Sequence, residues 1–573
     1  MKKNYLPAPG SLSLSLLVLC LSACGGAGTP TPPATKASSC TELQSLSIPA
    51  AEIGLPTLGA SIESSELMPA SGSGASALGS YCKVVGVIAP VDRSAPNIRF
   101  QLNLPEAWNN KSMMFGGGGY NGDKSAFLNN VHAGPPDQLT PQGRGYAVFA
   151  SDSGHTQNTT NIYGRDASFG LNPEALNNFT GDALKKTHDA ASFVIRAHYL
   201  QTPQKSYFLG GSTGGREALE VVQKWPQDFD GVIAIYPAWN SAAMTLQFGR
   251  VGRAFAQPGA YLNVAKRTLL LNAAMAACDK LDGVLDGIVS NVAQCNRIFD
   301  PATATVDGSA TGAPLRCAGG ADSGDTCLSD PQIAALKVMN SAARFNFTLA
   351  SGETGYPGYN VWGSDLGIPS TRPELPLNQI LGLNAQQPAN PVTVNMPYGT
   401  VYYDQWAKYF VSGDTNFNGL ALDQENPGIQ ASRISALSIL QDINKTDLSA
   451  FLAKGGKLLM AHGSADVLVS SRATADYVDR VRASMGVGKV SQFLRYYEIP
   501  GYGHSMSTVF NAGWDSVSAL ENWVERGVVP ANQVVTDKSG IPGRTRPLCE
   551  YGSWPQYKGS GDPNLAINFT CVQ

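Results

Sequence analysis

The stretch from Lys205 to Lys224 constrains the fold most, because it joins a strand pattern, a glycine-rich turn and a helix pattern in one short segment. Ser206 to Leu209 is aromatic and apolar, which predicts a buried strand, and Arg216 to Lys224 has helical spacing. The turn between them reads Gly210-x-Ser212-x-Gly214, the pattern of a nucleophile elbow. Such a turn holds its serine in a strained conformation and leaves no room for a Cβ on the flanking residues. The motif alone is weak in a chain with 61 glycines, and an ordinary Gly/Ser loop is the alternative.

The rest of the chain supports an α/β fold with a mostly parallel sheet flanked by helices. Strand patterns at 112–115, 146–151, 231–236, 457–460 and 492–499 alternate with helical patterns at 182–199, 472–484 and 516–525. Residues 80–105 have the alternation of antiparallel strands. Between about 240 and 440 this rhythm stops, and the segment is rich in Gly, Pro, Asn and aromatic residues. We therefore predict a catalytic core of residues 40–240 and 441–573, with a large inserted lid domain at 241–440.

A serine nucleophile needs a base, and the base needs an acid that orients it. In a fold with this elbow the chain order is serine, acid, histidine. Only His462 and His504 follow Ser212, and His462 precedes every plausible acid near it. His504 lies in a glycine turn after a predicted strand, so it is the predicted base. Asp466, on the loop after the strand at 457–460, is the predicted acid, and Glu498 is the second candidate.

The negative charge that develops on an ester oxygen needs backbone N–H donors. Thr213, directly after the nucleophile, supplies one. The run Gly116-Gly117-Gly118-Gly119 follows an earlier strand, and we choose Gly119 as the second donor, although a run of glycines is also typical of a plain loop.

Three carboxylates lie close together at Asp279, Asp282 and Asp286, interleaved with Asp-Gly turns. With the backbone carbonyls of Val284 and Ile288 they offer five oxygen ligands for one calcium ion. The alternative is a set of solvated Asp-Gly turns.

The N-terminus has the features of an export signal. Lys2 and Lys3 precede an apolar run at 12–21 that is too short to span a membrane. Leu21-Ser22-Ala23-Cys24 has the pattern of a lipobox, which predicts a signal peptide at 1–23 and lipidation of Cys24; ordinary cleavage near Ala23 is the alternative. Residues 24–39 are a Pro/Thr/Gly tether. Net charge is −3, and nothing here indicates a nucleic-acid partner.

Eight cysteines lie beyond the targeting segment, which is typical of an oxidising compartment. Their pairing does not follow from the sequence alone, although pairing nearest neighbours gives four local bridges. The spacing contains no Cys-x-x-Cys or Cys/His cluster that indicates zinc.

These motifs together resemble the tannase/feruloyl esterase family, which includes mono(2-hydroxyethyl) terephthalate hydrolases. The resemblance rests on GGGGYNG, GGSTGGREAL, CDKLDGVLDGIV, HGSAD, PGYGHS, RTRPLC and YKGSGD. It implies an α/β-hydrolase core with a lid, the triad Ser212–Asp466–His504, and an oxyanion hole from Gly119 and Thr213. It also implies structural calcium on Asp279, Asp282, Val284, Asp286 and Ile288. The implied disulfides are Cys40–Cys82, Cys278–Cys295, Cys317–Cys327 and Cys549–Cys571.

The sequence departs from the family at two positions. The family usually has a cysteine before the nucleophile and another after the histidine, and here those positions are Gly211 and Ser505. Loss of that bridge leads us to expect that His504 is held less firmly. A lid arginine for a terephthalate carboxylate is also not evident, since 351–432 offers only Arg372 and Lys408.

The expected function is an exported, lipid-anchored serine ester hydrolase acting on aromatic esters, with a hydroxycinnamoyl or galloyl acyl group. The expected partners are a small ester substrate and a membrane reached only through the lipid anchor. The alternatives are a terephthalate half-ester hydrolase, a lipoprotein that binds phenolic ligands without turnover, and a serine peptidase on the same core.

Overall fold

The centre of the structure is a ten-stranded sheet. The computed structural model describes residues 37–157, 164–373, 375–538, 541 and 543–573. The predicted signal peptide, Cys24 and the tether up to residue 36 lie outside the described residues. The strands are β1 (Ser47–Ile48), β2 (Ala60–Met68), β3 (Tyr81–Ile88), β4 (Ile98–Pro105), β5 (Lys111–Phe115), β6 (Ala147–Ser151), β7 (Lys205–Gly211), β8 (Gly231–Ile235), β9 (Ala343–Arg344), β10 (Gly355–Tyr356), β11 (Lys457–Gly463), β12 (Leu494–Ile499), β13 (Ala512–Gly513), β14 (Val534–Asp537), β15 (Thr545–Pro547), β16 (Trp554–Tyr557) and β17 (Phe569–Val572).

The order of strands in the main sheet is β1-β2-β3-β4-β6-β5-β7-β8-β11-β12. Strands β1 to β4 pair antiparallel, and β4 pairs antiparallel with β6. From β6 to β12 every pairing is parallel. The carboxyl ends of β5, β7, β8, β11 and β12 therefore meet at one edge of the sheet, where open α/β sheets place their ligands.

Helices pack on the sheet and build the segment after β8. They are α1 (Pro173–Asn177), α2 (Ala183–Tyr199), α3 (Thr213–Lys224), α4 (Ser241–Phe255), α5 (Val264–Cys278), α6 (Val292–Ile298), α7 (Asp330–Asn340), α8 (Asn378–Leu381), α9 (Tyr398–Trp406), α10 (Ala431–Gln441), α11 (Ser449–Lys454), α12 (Ser471–Met485), α13 (Val487–Val490) and α14 (Ser516–Arg526). The predicted strands and helices of the core are present, and their bounds agree to within two or three residues.

The parallel strands are buried on both faces, which explains their continuous apolar runs. Alternate side chains join two separate core clusters. Phe208 and Val232 belong to one cluster, while Leu209 and Ile233 belong to the other. Because successive side chains of a strand point to opposite faces, the sheet separates the two clusters.

Between β8 and β11 the described residues contribute no strand to the main sheet, since β9 and β10 pair only with each other. This agrees with an insertion after β8, and the exact division into core and lid remains a prediction. Within the described residues, no helix combines the length and apolar character that crossing a membrane requires.

Four disulfides join neighbouring segments, in the pairing that the family resemblance implies: Cys40–Cys82, Cys278–Cys295, Cys317–Cys327 and Cys549–Cys571. The loops they close are short to moderate, with sequence separations from 10 to 42 residues. Each bridge therefore stabilises a local segment.

Candidate active site

Ser212 lies in a sharp turn between β7 and α3. Its φ of 61° falls in the left-handed region, which is strained for a residue with a side chain. A Cβ on Gly210 would lie 2.2 Å from the Gly214 carbonyl oxygen, and a Cβ on Gly214 would lie 2.7 Å from that of Gly117. Only glycine fits on either side, so the turn has the geometry that the G-x-S-x-G pattern predicts.

Three side chains from three loops converge at the carboxyl edge of the sheet. Ser212 Oγ lies 3.1 Å from His504 Nε2, and His504 Nδ1 lies 2.7 Å from Asp466 Oδ2. An ionised carboxylate can only accept, so the proton of His504 lies on Nδ1. His504 Nε2 is then free to accept the proton of the Ser212 hydroxyl.

Asp466 is buried and fully hydrogen-bonded. Its Oδ1 accepts the N–H groups of Leu468 at 2.8 Å and Val469 at 2.9 Å. His462 Nε2 lies 3.3 Å from Oδ2. Burial alone would raise the pKa of Asp466, but the charge of His504 and the hydrogen bonds from His462 and His504 hold that pKa well below its usual range. Asp466 is therefore the ionised partner that His504 requires.

Glu498 does not share this role. It lies on β12, and its carboxylate is within 3.4 Å of the Tyr496 hydroxyl. Burial raises the pKa of Glu498 to about 7. Asp466 rather than Glu498 is the carboxylate in contact with His504.

The glycine-rich loop after β5 lies against the nucleophile turn. The Thr213 hydroxyl donates to the Gly119 carbonyl at 2.7 Å, and the Gly214 N–H donates to the Gly117 carbonyl at 3.1 Å. Gly119 has a φ of 57°, and a Cβ there would lie 2.2 Å from the Gly164 carbonyl oxygen. The backbone N–H groups of Gly119 and Thr213 have no acceptor among the described residues. Both remain available to a developing oxyanion.

Glu217, one turn into α3, holds this loop in place. Its Oε2 accepts the Gly117 N–H at 2.9 Å, and its Oε1 accepts the Asn121 side-chain amide at 2.6 Å. Burial raises the pKa of Glu217. Glu217 was not among the predicted site residues, because the sequence of α3 has charged residues at Arg216, Glu217 and Glu220 and does not distinguish the one that faces the glycine-rich loop.

A cavity of about 420 Å³ opens above Ser212 and His504. Phe127, Tyr398 and a set of aliphatic side chains, Leu377, Ile380, Leu381 and Leu468, form its apolar wall. His132 and Asp123 are among its polar lining residues. Among the described residues that line the cavity there is no lysine or arginine.

The aromatic residues of the segment after β8 lie mostly in the core rather than in the cavity. Tyr356, Tyr403 and Trp406 are at most 1% exposed, and none of them lines the cavity. Tyr402 stacks on Tyr120 of the glycine-rich loop, with ring centroids 3.9 Å apart. The abundance of aromatic residues there is therefore explained by packing, and it does not by itself indicate an aromatic substrate.

The predicted calcium loop is folded around its own carboxylates. Asp279 accepts backbone N–H groups from residues 286–288, and Asp286 is paired with Arg546 of the C-terminal RTRPLC motif. Asp282 differs, because its buried Oδ2 has no hydrogen-bond partner. Burial, together with the charges of Asp286 and Asp279, raises the pKa of Asp282 to about 7.

Asp282 has a carboxylate oxygen available to a hard cation, whereas the carboxylates of Asp279 and Asp286 already have hydrogen-bond or ion-pair partners. An unpartnered buried carboxylate oxygen is a ligand that calcium would satisfy. Among the described residues, however, Asp279, Asp282 and Asp286 do not form a group whose ligand atoms all lie within 4.8 Å of one another. Arg544 also donates to the Asp286 carbonyl at 2.9 Å, so the two arginines of RTRPLC both support this loop.

The parallel sheet, the strand–turn–helix at Ser212 and the loops at its carboxyl edge define the fold as that of an α/β-hydrolase. Residues 82–572 match the family model described as tannase and feruloyl esterase, and the chain belongs to that family. It is accordingly a carboxylic ester hydrolase.

Individual relatives agree with this assignment. The chain is 36% identical over 547 residues to an uncharacterized esterase of Agrobacterium fabrum, covering 94% of each chain. It is 30% identical over 578 residues to mono(2-hydroxyethyl) terephthalate hydrolase of Piscinibacter sakaiensis, covering 88% of this chain and 86% of that one. The crystal structure of feruloyl esterase B from Aspergillus oryzae has the same fold, with a TM-score of 0.71 at 23% identity, covering 93% of this chain and all of that one.

Proposed function

We propose that the chain hydrolyses esters through a covalent acyl-enzyme on Ser212. The observation that carries the proposal is the continuous contact from Ser212 Oγ to His504 Nε2 and from His504 Nδ1 to Asp466. Ser212 attacks the ester carbonyl carbon while His504 takes the hydroxyl proton. The oxyanion accepts hydrogen bonds from the N–H groups of Gly119 and Thr213.

The intermediate then collapses, and His504 gives its proton to the departing alcohol. Water enters, loses a proton to His504 and attacks the acyl carbonyl carbon. The bond from that carbon to Ser212 Oγ then breaks, His504 returns its proton to Oγ, and the acid is released. Asp466 keeps the imidazole oriented and stabilises its charged form throughout.

The test is hydrolysis of a chromogenic ester by the wild type, Ser212→Ala and the control Ser438→Ala. Ser438 is a buried serine whose hydroxyl donates to the Ser435 carbonyl, outside the cavity. We expect Ser212→Ala to lose at least about 10³-fold in kcat, and Ser438→Ala to keep it. Turnover that survives Ser212→Ala would refute the serine mechanism. A wild type that binds phenolic esters without hydrolysing them would support the binding-protein alternative.

We further propose that the acyl group is a neutral aromatic one, a hydroxycinnamoyl or galloyl group. The support is the cavity wall, which contains the aromatic side chains of Phe127 and Tyr398 beside aliphatic ones. Asp123 is an exposed residue that lines the same cavity. Desolvation opposes its ionisation, but hydrogen bonds from the Ser125 N–H, the Ser125 hydroxyl and the Ala126 N–H outweigh it and lower the pKa of Asp123. A carboxylate there repels the free carboxylate of a terephthalate half-ester.

Methyl ferulate, methyl gallate and a terephthalate half-ester, assayed side by side, test this assignment. We expect kcat/KM to be higher for the two neutral esters. Asp123→Asn should raise kcat/KM for the half-ester alone and so reduce the difference between it and the neutral esters. The substitution removes the repelling charge and keeps the size of the side chain. A wild type that prefers the half-ester would favour the terephthalate alternative.

Calcium and the lipid anchor are further parts of the proposal. Asp279, Asp282 and Asp286, with the carbonyls of Val284 and Ile288, would hold a structural calcium ion. Calcium at about 100 times its Kd should stabilise the fold by about 2.7 kcal/mol, measured as a rise in Tm that Asp282→Asn abolishes. An unchanged Tm after exhaustive chelation and calcium addition would refute the site.

The four disulfides support export to an oxidising compartment. Cys24 is the proposed site of the lipid. We expect the protein in cells to incorporate a labelled fatty acid and Cys24→Ser to lose that label. Equal labelling of the two would contradict the anchor.

A further inference from the structure

Tyr236 occupies an unusual position beside the site. It follows β8 directly, its φ is 36°, and its side chain is fully buried. Its hydroxyl lies 2.7 Å from His132 Nδ1 and 3.0 Å from Ser505 Oγ. The backbone of a non-glycine residue is strained at this φ, so the surrounding structure must hold Tyr236 there.

The Tyr236 ring also contacts the histidine of the triad. The rings of Tyr236 and His504 have centroids 4.6 Å apart, at an angle of 50°. Tyr236 therefore touches His504 through its ring and the next residue, Ser505, through its hydroxyl. The Tyr502 hydroxyl donates to the Ser505 carbonyl at 2.9 Å, which adds a second tie on the same turn.

Gly211 makes room for this arrangement. A Cβ at residue 211 would lie 2.7 Å from His132 Cγ and 2.8 Å from Tyr236 Cε2, closer than side chains approach. The two rings therefore fill the space between the nucleophile turn and the Ser505 turn. A link between these turns is made here by packed rings and hydrogen bonds.

The hydrogen bonds that link His132, Tyr236 and Ser505 can all be satisfied at once. Burial, with the nearby charge of His504, lowers the pKa of His132 to about 4, so its ring is neutral with one N–H and one acceptor nitrogen. Burial also raises the pKa of Tyr236, which keeps its hydroxyl protonated. In one arrangement the Tyr236 hydroxyl donates to His132 Nδ1 and accepts from the Ser505 hydroxyl. In the other, His132 Nδ1–H donates to the Tyr236 oxygen, and the Tyr236 hydroxyl donates to Ser505 Oγ. In both arrangements the Tyr236 oxygen is fixed from two sides.

We propose that Tyr236 is a positioning residue for His504, which it holds through its ring and through the hydrogen-bonded chain His132–Tyr236–Ser505. The inference rests on the proposed function, because it assumes that His504 is the base. The chain fixes the imidazole at the distance from Ser212 at which proton transfer occurs. His504 is therefore held firmly in a protein that lacks cysteines at Gly211 and Ser505, contrary to the expectation from sequence.

The test is Tyr236→Phe, which removes the hydroxyl and keeps the ring against His504. The matched control is Tyr477→Phe, since the Tyr477 hydroxyl is also buried with two partners, the Lys445 carbonyl and the Gln223 amide, and does not line the cavity. Misplacing a catalytic group costs up to about 100-fold in rate, and we expect Tyr236→Phe to lower kcat about tenfold with KM within about twofold. Tyr477→Phe should lower Tm and leave kcat unchanged.

Ser505→Ala provides an independent test, because it removes the hydroxyl to which Tyr236 is hydrogen-bonded. We expect it to lower kcat in the same direction by a smaller factor, and the double variant Tyr236→Phe/Ser505→Ala to be no slower than Tyr236→Phe, because both break one chain. If Tyr236→Phe does not fold, the kcat of Ser505→Ala decides the matter.

A kcat within twofold of wild type in Tyr236→Phe, or in Ser505→Ala where Tyr236→Phe is insoluble, would overturn the inference. So would a change confined to KM. Ser212→Ala separates this failure from that of the proposed function. If Ser212→Ala is inactive and Tyr236→Phe is fully active, only the positioning role falls. If Ser212→Ala is active, both the proposed mechanism and the positioning role of Tyr236 are refuted.

Discussion

Asp466→Asn is the sharpest test of the proposed mechanism, because it changes one atom in a site whose hydrogen bonds are all assigned. Oδ1 of Asp466 accepts two backbone N–H groups, from Leu468 and Val469. Oδ2 accepts from His504 Nδ1 at 2.7 Å and also lies 3.3 Å from His462 Nε2. An asparagine has one oxygen and one NH₂ group, so the NH₂ must replace one of these two acceptors.

The two orientations have different costs. If the NH₂ replaces Oδ1, it faces two N–H donors and leaves both unsatisfied in a buried site, at about 1–3 kcal/mol for each group. If the NH₂ replaces Oδ2, the backbone bonds survive, and His504 Nδ1 must become an acceptor. The imidazole proton then lies on Nε2, facing Ser212, and His504 cannot take the proton of the nucleophile. The second orientation preserves the fold, so we expect it to prevail.

A wrong tautomer of the base lowers kcat by about 10⁴-fold while geometry is retained. The assay is kcat for a chromogenic ester, together with Tm for the same samples. Asp442→Asn is the matched control: Asp442 is a buried carboxyl that accepts from the Ala242 N–H at 2.8 Å and the Ser351 hydroxyl at 2.7 Å, away from the triad. It should change Tm and leave kcat near wild type. Asp466→Asn with more than a tenth of the wild-type kcat would refute the reasoning.

Three further outcomes follow from buried groups. Glu217→Gln keeps one acceptor where the loop needs two, so we expect about 1–3 kcal/mol of lost stability and a lower kcat; an unchanged kcat would show that the glycine-rich loop does not need Glu217. Burial lowers the pKa of His155 to about 4, so the unfolded chain binds a proton below about pH 6.5 that the folded one refuses. Stability is therefore lost as pH falls from about 6.5 to 4, by up to about 3 kcal/mol, and His155→Phe should reduce that loss in denaturant titrations across this range. An equal loss in both proteins would contradict a neutral buried His155. Removing Cys278–Cys295 with a double serine substitution should cost about 3 kcal/mol, measured by urea unfolding under oxidising conditions, and a cost near zero would show that the loop is ordered without the bridge.

Where the sequence predicted contacts that the structure shows, the signal was local. Gly210 and Gly214 are needed because the backbone of the turn itself leaves no space for a side chain, and that constraint is visible in neighbouring residues. Ser212 follows directly from the same pattern. His504 and Asp466 follow from strand ends, because parallel strands bring their carboxyl ends to one edge.

Two features of the chain could be interpreted only once the packing of distant side chains was known. The aromatic residues after β8 are abundant in the sequence, and the structure shows that most of them, such as Tyr403 and Trp406, are core residues. The absence of cysteines at Gly211 and Ser505 predicts a less firmly held His504. The structure shows Tyr236 in the space beside Gly211, with its hydroxyl in contact with Ser505, and the positioning role proposed above rests on that contact. Neither outcome has a signature in the residues themselves.

The sequence alone was sufficient for the class of fold, for the strand–turn–helix at Ser212 and for the choice of Asp466 and His504 as residues that meet Ser212, since each depends on backbone geometry within a few residues or on the direction of a strand. Only the tertiary structure decided that Glu217 supports the glycine-rich loop and that Tyr236 joins His132 to Ser505. These contacts connect residues about 100 to 270 positions apart, Glu217 to Gly117 and Tyr236 to Ser505. Their formation depends on the packing of the whole sheet, because no short-range pattern specifies which distant polar groups will meet in a buried space.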